Sequence, residues 1–405
     1  GVRCVIAAGW AVNDSAALDF AEEFYHRMNS GATFGKAVKE ARKVIFEKYP
    51  ETNTWGAYQA YGDPFYRFKK REDEKITFSY FISNEAEIDL KNLLSEIEIG
   101  KVSVEEYLHQ LDAISIAVDK CGVRNKKITE LEAMVSMELR EFTKACNKFK
   151  EVLDTNNDSV SFTSFEKYQN VRAKKAIEDY NDKKDSADNL INELEDVISK
   201  LTLLIQIGQT AERINILGST FKRKAFLITD QDSKLKAYEN AAYYYQDAYT
   251  KFGTWYSLTN WLIIEAIFTL SGKRKWNTQV GTEPKQYKLL SLDEANQKLD
   301  DLEKSVSSKA EGMNYWEMIK DINIKLCKYI LNFSKNKAQS DLTGIQDGIS
   351  ELWEKAGSKG KHFAEIEHLE FIIDALSMEQ NKLTELLQNN VINMKTELEK
   401  LITKR

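Results

Sequence analysis

Proline is nearly absent. Pro50, Pro64 and Pro284 are the only three in 405 residues, so almost nothing interrupts helices between Phe65 and Arg405, and that stretch is expected to be mostly α-helical. Cysteine is as sparse: Cys4, Cys121, Cys146 and Cys327 form neither a metal-ligand spacing nor a paired framework, which excludes a disulfide scaffold and points to a reducing cytoplasm. No run approaches the roughly 18 apolar residues of a membrane span, so no membrane partner is expected. A basic surplus is missing too, with 57 Lys and Arg against 63 Asp and Glu for a net charge of −6. A phosphate-backbone binder needs a basic stripe to release counterions. The balance therefore argues mildly against a nucleic-acid partner and leaves only local clusters, Lys69-Lys70-Arg71 and Lys222-Arg223-Lys224; most runs of this kind are solvated faces. What is present, 30% charged and 42% hydrophobic residues, fits a soluble chain of two or three domains.

Residues 1–68 read differently from the rest. Gly1 to Ala8 is a β-branched apolar run that breaks at Gly9-Trp10-Ala11-Val12-Asn13-Asp14, a buried strand feeding a helix. Helical periodicity covers Ser15 to Met28 and Thr33 to Tyr49. Between them, Gly31 suits a C′ position and Thr33 an N-cap. A second strand is expected at Thr54 to Ala60, ending in Tyr61-Gly62-Asp63-Pro64. An isolated strand pair leaves open edges, and Gly1 lies inside a strand, so the natural protein is expected to extend further N-terminally.

The ordered set Gly1-Val2-Arg3, Val5-Ile6-Ala7, Trp10-x-Val12-x-Asp14, Phe24-Tyr25, Gly31-Ala32, Ala37-x-x-x-Ala41, Trp55-x-Ala57-Tyr58 and Tyr61-Gly62-Asp63-Pro64 resembles the CHAT family, cysteine peptidases related to caspases and separase. The resemblance implies the C-terminal half of a caspase-like domain. The catalytic His and Cys would then lie upstream of Gly1, no catalytic residue would lie in this chain, and the missing N-terminal half of the domain would itself be a partner. It also implies that the acid of the Trp-x-Val-x-Asp loop, Asp14, meets a basic P1 side chain. A carboxylate at a cleft rim gives Arg or Lys a charge-assisted partner; the competing reading is that Asn13 or Asp14 caps the following helix. Trp10 is a cleft wall or, more simply, core. Cys4, mid-strand in an apolar run, is expected to be core rather than a nucleophile, since a thiolate nucleophile needs a positioned base.

Residues 69–80, which overlap the charged run Arg67 to Lys75, read as a linker, and 81–207 as a helical region. It opens with Glu85 to Ile99 and Ser103 to Asp119, split at Gly100-Lys101 and carrying a Ser103/Glu106 capping-box pattern. Lys126 to Leu153 is expected to be one helix and Phe165 to Ile207 one or two. Asp154 to Ser159 begins like a calcium loop but has Ser159 where glycine is needed and Phe165 where a bidentate Glu is needed; it reads as a polar turn. No pattern calls for a metal or another cofactor.

Residues 208–272 carry the spacing of a helical pair. Leu217-Gly218-x-x-Phe221 and Ala241-x-x-x-Tyr245-x-x-Ala248 resemble the two helices of a tetratricopeptide repeat, where glycine admits the second helix and an aromatic plugs the gap. Ile228 to Lys234 is expected to lengthen the repeat by roughly ten residues. The set resembles the repeat-type sensor regions fused to CHAT and other effector domains, which implies a protein or peptide partner. Tyr243, Tyr244 and Tyr245 point three ways around a helix, so at least one should be exposed or line a groove. Lys222, Arg223, Tyr244, Trp255, Tyr256 and Asn260 are the candidate groove residues, with Glu265 beside them; the competing reading is a solenoid core with polar tips.

Residues 273–405 read as C-terminal helices: Ser291 to Lys309, Asn314 to Asn332, and a long amphipathic helix from Ile366 to Leu401. The last is a solenoid lid rather than a coiled-coil seam, because Phe371, Ile372 and Leu386 widen its stripe. His362 and His368, with no acidic or cysteine partner at ligand spacing, are expected to be surface or cap residues. The fold class is therefore α+β: a partial caspase-like α/β piece, then a large solenoid-like all-α region. The first functional reading is the C-terminal part of a bacterial CHAT-type cysteine peptidase, inactive alone, whose helical region senses a partner and regulates cleavage, with a defence or signalling system as its setting. The alternatives are a non-enzymatic scaffold with a degenerate caspase-like domain, and a helical module that senses a nucleotide or RNA through Lys222, Arg223 and the aromatics.

Overall fold

The computed structural model describes residues 4–68, 78–100, 102–154, 161–282, 284–304, 315–336 and 339–403. It divides into two compact units, Gly1–Thr77 and Phe78–Arg405. Most of the charged run at residues 69–75 and the calcium-loop-like residues 155–159 lie outside the described residues.

The first unit holds β1 (Cys4–Ala8), α1 (Asp14–Asn29), α2 (Phe34–Lys48), the short α3 (Thr54–Ala57) and β2 (Tyr58–Gly62). The strands pair antiparallel, with Cys4 opposite Gly62 and Ala8 opposite Tyr58. Both helices pack through Ala16, Phe20, Phe24, Met28, Phe34, Ala37, Val38, Ala41 and Ile45, against which Cys4, Ile6 and Tyr58 lie. α1 closes as expected for a Schellman motif: Gly31 has φ 83°, and the Ala32 and Gly31 amides donate to the Arg27 and Met28 carbonyls at 3.0 and 3.1 Å. The N-terminal amides of α2 are satisfied one by one. Phe34 donates to Tyr66 O at 2.7 Å, Gly35 to Pro64 O at 2.8 Å, and Lys36 to the Thr33 hydroxyl at 3.3 Å. Gly35 permits this approach, since a Cβ there would stand 3.1 Å from Pro64 Cβ.

Two expectations for this unit are corrected. Only one face of β1 is covered: Val5 is 44% exposed and Cys4 only half-buried, so the apolar run is not a buried strand. The second strand begins at Tyr58, because Thr54 to Ala57 forms a helical turn, with Gly56 N bonded to Asn53 O at 3.1 Å.

The second unit begins with α4 (Ser83–Ile99), α5 (Val104–Cys121), α6 (Lys126–Glu138), α7 (Phe142–Asp154), α8 (Phe162–Asn181) and α9 (Ala187–Ile207). The pair α10 (Ala211–Leu227) and α11 (Gln231–Phe252) follows, then α12 (Trp255–Leu270) and a small hairpin of β3 (Gln279–Val280) and β4 (Tyr287–Lys288). The chain continues through α13 (Leu292–Lys304), α14 (Tyr315–Leu331), α15 (Phe333–Asn336), α16 (Gln339–Lys355), α17 (Lys359–Ser377) and α18 (Lys382–Thr403). From α6 to α12 each helix packs on the next, as in a solenoid, whereas α17 returns to α6, α10 and α12. The fold is thus a small α/β start followed by an all-helical repeat region.

Caps explain most boundaries. Ser103, Asn125, Ser161, Ser186, Thr210, Asp230, Thr254 and Ser358 each accept an amide of the following first turn. Two breaks fall where no glycine marks them. Lys126 to Leu153 is two helices, because Arg140 takes φ 65° while the Glu141 and Arg140 amides donate to the Ser136 and Met137 carbonyls at 2.8 and 3.1 Å. Its guanidinium stacks on Phe142 and Phe363, 5.1 and 4.4 Å from the ring centroids, contacts that offset the left-handed backbone. Lys183, at φ 56°, separates α8 from α9 in the same way.

The C-terminal expectation is corrected as well: Ile366 to Leu401 is two helices separated by Met378 to Asn381, where Asn381 Oδ1 caps α18 by accepting from Thr384 N at 3.0 Å. α17 buries Glu365, Ile366, Leu369, Phe371, Ile372, Ala375 and Leu376, so it is a central helix rather than a lid. His362 is buried, not at the surface.

Candidate functional site

In the first unit the loop carrying Trp10 and Asp14 is fixed at both ends. Gly9 N donates to Ala57 O at 2.8 Å, and Asn13 N donates to the buried Thr54 hydroxyl at 3.1 Å. Asn13 is the N-cap, its Oδ1 accepting from Ala16 N at 3.1 Å, so Asp14 is not needed for capping. It stands exposed in the first turn of α1, where the helix dipole favours a carboxylate. Trp10 is 47% exposed and therefore not core; its ring lies beside Gly56, 3.7 Å from where a Cβ would stand. Trp55 and Phe46, also exposed, meet edge-on at 5.4 Å. Cys4 donates to the Asp63 carbonyl at 3.8 Å. A carbonyl acceptor holds the thiol proton and does not remove it, so this arrangement does not activate a nucleophile.

In the second unit the repeat-like spacing has a direct structural meaning. A Cβ on Gly218 would stand 3.2 to 3.3 Å from three atoms of the Tyr245 ring, and Tyr245 is fully buried. Glycine on α10 thus admits the aromatic of α11. The expected insertion at Ile228 to Lys234 is instead a short turn, Ile228 to Asp230, followed by the first turn of α11, which Asp230 caps; the extra length is helix, because α11 runs 22 residues.

Three of the candidate groove residues, Lys222, Arg223 and Asn260, come together, but under α17, whereas Tyr244 packs elsewhere, on Phe221 and Tyr243. Lys222, Arg223 and Asn260 are each about 5% exposed. Lys222 Nζ donates to Asn260 Oδ1 at 2.6 Å and faces the rings of Tyr245 and Phe371 at 5.3 and 5.1 Å. Arg223 forms a bidentate pair with Glu367 of α17, at 2.9 and 3.2 Å, and reaches the Ser219 hydroxyl at 3.0 Å. Lys234 and the Tyr238 hydroxyl both bond Asp374 of α17 at 2.7 Å. Tyr244, Trp255 and Tyr256 are half-buried, and Tyr245 and Tyr256 meet edge-on at 6.0 Å. Glu265 is fully buried and paired with Arg274 at 2.7 Å.

The electrostatics follow from burial. Burial, with the like charge of Arg223, pushes the Lys222 ammonium down to about 7. Burial pushes the Glu365 carboxyl up to about 7 against the Asn323 amide and Lys222, and the His368 imidazole down to about 3, helped by Lys222. For Glu367, burial is outweighed by Arg223, Lys174 and Lys222, which hold the carboxyl below its ordinary range. A charged seam therefore joins the repeat-like pair to α17, and its ionisation depends on α17 staying in place.

Glu365, Glu367, His368 and Asp374 were not among the expected site residues. Their signal was present, since acids and a histidine interleave with Ile366, Leu369 and Ile372, an unlikely pattern for a one-sided helix. Next to this seam a cavity of about 370 Å³ is lined by Arg140, Lys174, Glu178, Trp316, Phe363 and Glu367, among others. Among the described residues no helix is long and apolar enough to cross a membrane.

Comparison with known families locates two matches. Residues 1–63 match the CHAT domain, and residues 141–267 match Tetratricopeptide Repeats-Sensor. The second match spans α7 to α12 with the Gly218–Tyr245 contact inside it, and the first spans β1 to β2. No curated protein matches the chain.

Proposed function

We propose that this chain is the C-terminal part of a CHAT-type cysteine peptidase, and that its helical region is a sensor that binds a protein or peptide partner and regulates cleavage. The observation that carries this reading is the tandem of a CHAT match and a repeat-sensor match in one chain. In this reading Cys4, whose thiol faces the Asp63 carbonyl, is not the nucleophile. The setting is a bacterial cytoplasm and a defence or signalling system. The domain boundaries fall at 1–68, 81–207, 208–272 and 273–405, with 69–80 as the linker.

Asp14 then serves as the acidic wall for a basic P1 side chain. Its exposure and its freedom from capping, which Asn13 performs, support that role, and the neighbouring Trp10 supplies an apolar flank. A carboxylate so placed would pair with Arg or Lys in a charge-assisted contact. The peptidase containing residues 1–405 should cleave Arg- and Lys-P1 peptides. Asp14→Ala should lower kcat/KM on them at least tenfold while leaving the circular dichroism spectrum unchanged; undiminished cleavage would remove Asp14 from the pocket. Absence of cleavage in every condition, partner included, would favour the non-enzymatic scaffold. Burial of Lys222 and Arg223 beneath α17 counts against the nucleotide- or RNA-sensing alternative.

A further inference from the structure

Lys285 occupies the turn between β3 and β4, and its ammonium faces three aromatic rings at once. The centroids of Tyr244, Phe221 and Tyr243 lie 4.8, 5.5 and 5.7 Å away, and Asn240 Oδ1 accepts from Nζ at 2.5 Å. The rings hold one another: Phe221 and Tyr244 stack at 5.5 Å and 12°, and Tyr243 meets Tyr244 edge-on at 5.2 Å. They come from both helices of the repeat-like pair, and all are half-buried.

This is an unusual place for a lysine at the surface. Among the described residues no carboxylate pairs with it. Its seat consists of ring faces and one amide oxygen, a combination that attracts a cation through the ring quadrupoles and one hydrogen bond. An anionic ligand would meet the negative faces of the rings, and a neutral one would forgo the quadrupole attraction. The turn that delivers Lys285 lies between two strands of two residues each. It depends on Gly281, whose φ is 81° and where a Cβ would fall 2.1 Å from the Lys285 carbonyl. Burial and the like charge of Lys236 lower the Lys285 pKa, so the seated ammonium is held against an opposing force.

We propose that Phe221, Tyr243, Tyr244 and Asn240 form a lysine-reading cage for a segment of a partner protein, and that Lys285 fills it in cis as a displaceable stand-in. The occupant's chemistry is given by the occupant already seated, an ammonium on an aliphatic stem. A tethered ligand competes at high effective concentration, so the resting chain presents a closed cage and only a lysine displayed in a matching segment opens it. The inference deepens the sensor reading above. Its test reads binding alone, so a silent cage would leave a partner site elsewhere on the helices untouched.

The test uses the full chain and a synthetic, end-blocked peptide with the hairpin's own sequence, Gly281 to Gln286, together with its alanine-for-lysine counterpart. Titration calorimetry should show Lys285→Ala binding the lysine peptide at least tenfold more tightly than the unaltered chain, and neither protein binding the alanine peptide. Adding Tyr244→Leu, which keeps apolar bulk but removes the ring, should weaken binding at least tenfold. Equal binding by the two proteins, or binding indifferent to Tyr244→Leu, overturns the proposal. A second readout needs no folded variant. Reductive ¹³C-methylation of the unaltered chain should place the Lys285 methyl signals upfield under the ring currents. Saturating lysine peptide should return them to the position of a free lysine, and signals that stay upfield overturn displacement.

Discussion

Arg223→Met breaks the pair that joins the repeat-like helices to α17. The guanidinium, 6% exposed in its side chain, makes two bonds to Glu367 and one to Ser219. Methionine keeps the stem volume and removes all three, leaving the Glu367 carboxylate, itself only 19% exposed, with Lys174 and Lys222 as its remaining compensating charges. Removing one partner of a buried pair costs about 3–5 kcal/mol. In a unit this large about 2 °C of melting temperature corresponds to each kcal/mol, so a loss of roughly 6–10 °C is expected. Replacing both partners, Arg223→Met with Glu367→Leu, should recover at least about 2 kcal/mol relative to the sum of the single changes, because the orphaned charge is gone. The deficit should also depend on pH. Glu367 is held below its ordinary range in the folded chain, so its stabilisation is present at neutral pH and lost as pH falls through the folded-state value. In Arg223→Met the buried carboxyl instead gains from protonation, so the gap between variant and parent should narrow from pH 7 to pH 4. Urea titrations across that range read both effects. Single changes that add within about 0.5 kcal/mol, or a gap indifferent to pH, would refute the reasoning.

Lys222, pushed down to about 7 when folded, binds fewer protons in the folded than the unfolded chain between there and its ordinary value. Stability should therefore rise with pH from 7 to 10, and Lys222→Met should flatten that rise in denaturant titrations. Glu365, pushed up to about 7, keeps its proton in the folded chain through a range where the unfolded chain has lost it; stability should fall as pH rises from 4.5 to 7, and Glu365→Gln should remove that slope. Gly218→Ala sets overpacking against Tyr245 (about 1–3 kcal/mol) against the helix preference of alanine (about 1 kcal/mol). A net loss of about 1 kcal/mol by thermal melting is expected, and a gain would contradict the close approach.

Much of the fold was legible because it rests on local chemistry. Thr33, Ser103 and Gly31 announced their caps and turn, and Gly218 with Tyr245 announced a helix pair. What was not legible rests on partners distant in sequence. Arg140 and Lys183 take left-handed backbone without being glycine, and Arg140 does so over Phe363, more than two hundred positions away. β1 looked buried because its composition is apolar, yet only Cys4 and Ile6 of its residues face the helices. The candidate site was half legible. Lys222 and Asn260 meet side chain to side chain, but α17, which covers them, could be placed only by long-range pairs such as Arg223–Glu367. The hairpin carrying Lys285 was missed altogether, because two-residue strands leave no alternation to read.

The most direct measurement compares the peptidase containing residues 1–405 with the same protein ending at Thr77, the boundary between the two units, on an Arg-P1 reporter peptide. The account predicts that removing the helical unit changes turnover at least tenfold, in either direction, with the partner-dependence of cleavage lost. Equal turnover with and without residues 78–405 would contradict regulation by the helical region.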